Sequence, residues 1–168
     1  MSTLALAVAA LTLAGFAPPG FHSKEAVEPV ASVGKRAPEL SAIGWVNTKT
    51  LTLESLEGKI VVLAFWGTYA HGRTRLSTLD QIHKKNEGQA VVVGVHCSRH
   101  ADEMAAFVKR NHLGLPCCED DLGITSDRYE ARRIPYIVFI DRKGIVRALL
   151  TDPTEDVVVK TLFGLLTD

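Results

Sequence analysis

The stretch Ile60-Val61-Val62-Leu63-Ala64-Phe65-Trp66 decides how this chain folds. It is apolar from end to end and rich in β-branched and aromatic residues. It shows no alternation of apolar and polar positions. That pattern predicts a strand buried on both faces. A second run, AVVVGV over residues 90–95, reads the same way. Between the two, Leu76, Leu79, Ile82 and His83 recur at helical spacing, and Lys84, Lys85 and Gly88 follow as stop signals. Strand, helix, strand over this length is a βαβ unit, a parallel pair joined by a right-handed crossover.

Outward from this unit, residues 101–112 predict a second helix whose apolar stripe is Met104, Phe107 and Val108. Residues 113–118 predict a short strand, followed by an acidic loop, Glu119-Asp120-Asp121. Residues 126–132 predict a short helix. YIVFID (136–141) and IVRALL (145–150) flank Arg142-Lys143-Gly144, a hairpin signal with glycine available for positive φ. A last helix is expected to start with Asp152 as cap and Pro153 in its first position, with Glu155 and Asp156 at its positive end. Its buried stripe is Val158, Leu162, Leu165 and Leu166. Residues 39–55 add two weak strands in front. A βαβ half followed by a ββα half is the thioredoxin arrangement, so the expected fold is α/β and thioredoxin-like, a mixed sheet flanked by helices with a short N-terminal β extension.

The length of 168 residues suits one domain, and 46% hydrophobic with 23% charged residues can bury a core. Nineteen Lys plus Arg balance 19 Asp plus Glu, which leaves no broad electrostatic footprint for nucleic acid or an anionic membrane. Residues 4–17 are apolar or small apart from Thr12, the size of a signal-peptide core. Two readings stand for residues 1–17, a cleaved signal peptide or an uncleaved anchor. Both place the protein in the cell envelope or periplasm, and membrane contact is expected only through that segment. Residues 18–34, with Pro18, Pro19, Gly20, Pro29 and Gly34, read as a linker, and residues 35–168 as the folded domain.

Three segments resemble a known family. Residues 57–69 (EGKIVVLAFWGTY) resemble the approach to the active site of TlpA-type thiol–disulfide oxidoreductases, which belong with the AhpC/TSA redoxins. Residues 91–96 (VVVGVH) and 134–144 (IPYIVFIDRKG) resemble that family's VVGVH and IPTTVLIDRKG segments. Together they span residues 34–150 in the family's order. The resemblance implies a cis proline at Pro135, beside a redox motif that follows Trp66. It also implies thiol–disulfide exchange through a W-C-x-x-C sequence. Here the chain instead reads Tyr69-Ala70-His71-Gly72-Arg73. Ala70 stands in place of the attacking cysteine and Arg73 in place of the resolving one. The family's chemistry needs a thiolate, and neither side chain supplies one.

Three cysteines remain: Cys97, Cys117 and Cys118. They read either as a displaced redox pair at the sheet edge where α/β folds bind ligands, or as small buried core residues. His71, His96 and His100 form a candidate metal set, with Cys97 nearby, although their spacing matches no standard ligand motif. Arg73 and Arg75 near free helix N–H groups can hold a carboxylate or phosphate, or simply point into water. Trp66, Tyr69, His71, Pro135 and Tyr136 are the candidate walls of a groove. No cofactor is implied. The main functional reading is a redoxin-like binding module, inactive at the usual motif, that takes a protein, peptide or small ligand. The rivals are a thiol redox enzyme using Cys97, Cys117 or Cys118, and a metal-binding protein.

Overall fold

The computed structural model describes residues 30–68, 73–97 and 101–168, with backbone alone at residues 73, 74, 101 and 102. The predicted signal segment, residues 18–29 of the linker, Tyr69, Ala70, His71, Gly72 and His100 lie outside the described residues. In chain order the elements are β1 (Ala42–Val46), β2 (Ile60–Trp66), α1 (Arg73–Lys85), β3 (Ala90–His96), α2 (Ala101–Arg110), β4 (Cys117–Asp120), α3 (Ile124–Arg128), β5 (Tyr136–Ile140), β6 (Val146–Thr151) and α4 (Glu155–Thr167).

The two apolar runs are the central pair, β2 and β3, parallel and in register from Ile60 opposite Ala90 to Trp66 opposite His96. Every residue of both strands is buried, as a continuous apolar run requires when helices or loops cover each face. The described sheet has the order β1-β4-β3-β2-β5-β6. β4 runs parallel to β3, while β5, β6 and β1 are antiparallel to their neighbours. Strand alternation divides the core in two. Val62, Ala64 and Trp66 pack with α1, α2 and α4 through Leu76, Met104 and Val158. Val61, Leu63 and Phe65 pack on the other face with Ala31, Leu56 and Tyr129. This is the thioredoxin-like fold, a mixed six-stranded sheet with four helices among the described residues. None of those helices is long and apolar enough to cross a membrane.

Several local expectations shift. Residues 39–55 carry one strand, β1, and a 3-10 turn at Glu54–Leu56 in place of two strands. β4 runs later than expected and takes up Glu119 and Asp120, so these two are buried strand residues and not loop. The short helix sits at Ile124–Arg128. Asp152 does not cap α4. Thr154 occupies the cap position in an extended conformation, and Pro153 precedes it. Asp152 is drawn elsewhere: its N–H donates to the Pro135 carbonyl at 2.8 Å, and its carboxylate pairs with Arg75. The β5–β6 hairpin turns at Gly144 with φ +76°, as the glycine signal requires. Among the described residues, packing already includes Ala31, ahead of Lys35: Ala31 is buried and donates its N–H to the Arg128 carbonyl at 2.8 Å.

Candidate functional site

Because β2 and β3 are parallel and β5 runs against β2, the end of β2, the end of β3 and the start of β5 share one edge of the sheet. α1 starts at this edge, with Arg73 as its first residue. The Ile134–Pro135 peptide is cis. Pro135 is buried, with its carbonyl held by Asp152. Cys97, just past β3, donates its N–H to the Trp66 carbonyl at 2.8 Å.

The expected groove is not a single wall. Trp66 is 1% exposed, with ring contacts to His96 at 4.7 Å and Phe107 at 5.2 Å on the helix-rich face. Tyr136 is opposite Phe65 in the ladder, so it falls on the other face, where the two rings meet at 5.9 Å. Burial pushes the Tyr136 phenol up from its usual range, and the Glu130 charge adds to this. Trp66 and Tyr136 are therefore core residues on opposite sides of the sheet. Cross-strand register decides this, and one strand read alone does not reveal it. His96 is fully buried beside Trp66 and does not border an open edge. Among the described residues no three His, Cys, Asp or Glu side chains converge as a metal site.

The three cysteines are free thiols. Cys117 and Cys118 are neighbours in β4 and so face opposite sides of the sheet, Cys117 in the helix-rich core and Cys118 in the other. Alternation keeps these two adjacent sulfurs apart, one in each half of the core. Cys97, only partly buried, lies on the Cys118 side. Burial pushes its thiol up to about 11; the Ser126 hydrogen bond opposes this and the Asp120 charge adds to it. Burial takes Cys117 up to about 12, and raises Cys118 further.

Two residues near Cys97 escape sequence reasoning. The Ser126 hydroxyl donates to Asp120 Oδ2 at 2.5 Å and lies 3.5 Å from the Cys97 sulfur. Asp120 also accepts the N–H groups of Thr125 and Ser126, which anchors α3 beneath the edge. An aspartate five residues before a threonine is the only trace of this in the sequence, and it is too common to signal a site.

On the helix-rich face, below the same edge, a cleft of about 350 Å³ opens between α1 and α4. Leu79, Ile137 and Val158 form its apolar floor, and Arg75, Thr78, Thr154 and Glu155 border it. Arg75 neither points freely into water nor waits for an anion, the two alternatives its sequence position allows. Its Nη2 pairs with Asp152 Oδ1 at 2.8 Å.

Residues 33–149 match the AhpC/TSA family. The thioredoxin-like protein YneN of Bacillus subtilis is 25% identical over 118 residues, covering 68% of this chain and 68% of YneN. The thiol-disulfide oxidoreductase ResA of Halalkalibacterium halodurans is 29% identical over 113 residues, covering 66% of this chain and 64% of ResA. The solved structure of the exposed lipoprotein thioredoxin of Streptococcus pneumoniae strain TIGR4 superposes with a TM-score of 0.65 at 27% identity, covering 76% of this chain and 98% of that one.

Proposed function

The chain belongs to the AhpC/TSA family, and from that footing we propose that it is a relative of the thiol–disulfide oxidoreductases that binds at the Pro135 edge without exchanging disulfides there. Disulfide exchange begins with a thiolate at an accessible position. Residue 70 is alanine and residue 73 is arginine, so no sulfur enters α1. The observation that carries the reading is the state of the thiols that remain. All three are free, and each has its ionisation suppressed by burial. At neutral pH a thiol of the Cys97 kind is thiolate to about one part in ten thousand.

What persists supports a scaffold kept for recognition. The cis Ile134–Pro135 peptide, the central parallel pair and a helix starting beside them remain in place. Loss of thiols at the two motif positions leaves the edge free to hold a protein, peptide or small ligand. The apolar run at residues 4–17 supports export to the cell envelope, and likeness to a pneumococcal exposed lipoprotein agrees with that placement. Fractionation of producing cells is expected to recover the protein outside the cytoplasm.

The redox part is tested by dithiothreitol-driven reduction of insulin. The wild-type chain is expected at the uncatalysed background, whereas Ala70→Cys with Arg73→Cys is expected to gain turnover. Turnover by the wild type that disappears in Cys97→Ser would overturn the proposal and identify Cys97 as the working thiol.

A further inference from the structure

The groove between α1 and α4 carries an inference that uses no thiol and stands whether or not the chain exchanges disulfides. Two clefts lie along it and share Thr78 and Glu155, so the groove is continuous. The upper cleft, about 350 Å³, has the apolar floor of Leu79, Ile137 and Val158. The lower, about 200 Å³, reaches Lys85 on α1 and Phe163 on α4. Phe163 is 66% exposed, and Val159, one turn before it on the same face of α4, is 46% exposed. An aromatic ring in water at one end and an apolar hollow at the other are a knob and a hole on one surface. The knob cannot fill its own hole, because Phe163 lies about two turns of α4, or about 12 Å, from Glu155. Charge follows the same gradient. At the upper end Arg75 and Asp152 offset each other at 2.8 Å, and Glu155 leaves a net negative charge. At the lower end Lys84 is taken by Asp80, and Lys85 stands exposed on the wall. A second copy turned end for end about an axis at Val159 brings its Phe163 over the upper cleft and its Lys85 toward Glu155. Symmetry makes each contact twice. The face spans about 20 Å by 20 Å, so a pair buries on the order of 1,000 Å², the small end of specific interfaces.

We infer that this face is a two-fold interface between copies of the chain, in which Phe163 of each copy fills the Leu79, Ile137 and Val158 cleft of the other. Lys85 of each copy pairs with Glu155 of the other, and α4 packs antiparallel to its counterpart with Val159 near the axis.

Sedimentation equilibrium of the full chain from about 1 to about 500 µM is expected to show a reversible monomer–dimer balance, half dimeric at roughly 10–100 µM and weaker in about 1 M salt. Phe163→Ser removes the knob from an exposed position. It is expected to be monomeric throughout this range and to keep the wild-type urea midpoint at about 1 µM, where both proteins are monomers. Lys85→Glu sets carboxylate against carboxylate at both charged contacts, and Glu155→Lys sets ammonium against ammonium. Each alone is expected to weaken the dimer about tenfold. Mixed one to one, the two variants are expected to regain it, because every charged contact across the axis is then an opposite pair. Three results overturn the inference. A monomer at every concentration gives the groove to a different protein. A dimer that Phe163→Ser leaves intact assigns association to another surface, such as the apolar residues 4–17. A mixture no more dimeric than its two components removes the antiparallel pairing.

Discussion

A methyl group added at Gly94 has no room. Its Cβ would sit 2.9 Å from the Cys117 sulfur, 3.1 Å from Trp66 Nε1 and 3.6 Å from Leu76 Cδ1. Gly94→Ala is therefore expected to destabilise the protein by about 1–3 kcal/mol, the range for overpacking a core. Urea melts measure this. Cys117→Ala removes the nearest atom, and adding it to Gly94→Ala is expected to recover part of the loss, because the two positions share one contact. At Cys97 the question is ionisation. Alkylation by iodoacetamide is expected to accelerate with pH toward about 11, where burial has placed the thiol. Asp120→Asn removes a negative charge that raises this value, so the variant is expected to react faster than wild type at pH 8. A rate already on its plateau at pH 8 in the wild type would contradict the burial argument and revive a nucleophilic role.

Helix α1 shows how an element is held by contacts its own sequence does not announce. Its apolar stripe, Leu76, Leu79 and Ile82, is buried as the spacing predicts. Asp80 is buried as well. Its carboxylate accepts the N–H groups of Gly114 at 2.7 Å and Leu115 at 2.8 Å, and the Lys84 ammonium at 2.6 Å. Burial by itself would push this carboxyl up, but the Lys84 and backbone hydrogen bonds outweigh it and hold the carboxyl below its ordinary value. A lowered carboxyl pKa stabilises the fold above the unfolded-state value, near 3.9, and that contribution is lost as pH falls through the folded-state value. His83 adds a second acid-sensitive tie. Its Nδ1 accepts the Val92 N–H at 3.3 Å, and burial holds its pKa below the usual value, so its contribution fades as pH drops below about 6.5. Asp80→Ala leaves two backbone donors without their acceptor and is expected to cost about 2–4 kcal/mol. Its urea midpoint is expected to decline less than that of the wild type below about pH 4, with the remainder carried by Asp141, whose carboxyl is also held low by backbone and Arg147 hydrogen bonds. An unchanged decline would assign the acid sensitivity to other groups.

For the molecule as a whole, the sheet decides which side chains meet. Replacing all three cysteines, as Cys97→Ser, Cys117→Ala and Cys118→Ala, is expected to lower stability by about 1 kcal/mol for each buried sulfur and to leave the insulin-reduction readout where it was. A drop in that readout would return the chain to thiol chemistry. Much of the fold was legible from residue pattern alone. Two unbroken apolar runs around a helix-spaced stripe leave few alternatives to a parallel βαβ core, and the glycine in 142–144 names the hairpin. The absence of sulfur at positions 70 and 73 is likewise a property of the sequence. What the sequence could not order was everything that depends on two distant segments meeting. Register between β2 and β5 put Trp66 and Tyr136 on opposite faces. Strand alternation in β4 separated Cys117 from Cys118. The turn before α4 brought Asp152 to Arg75 and Pro135. Periodicity reports which face of a single element is apolar, because burial acts residue by residue along that element. It does not report which faces come together, because that is settled by hydrogen-bond register and packing among segments far apart in the chain.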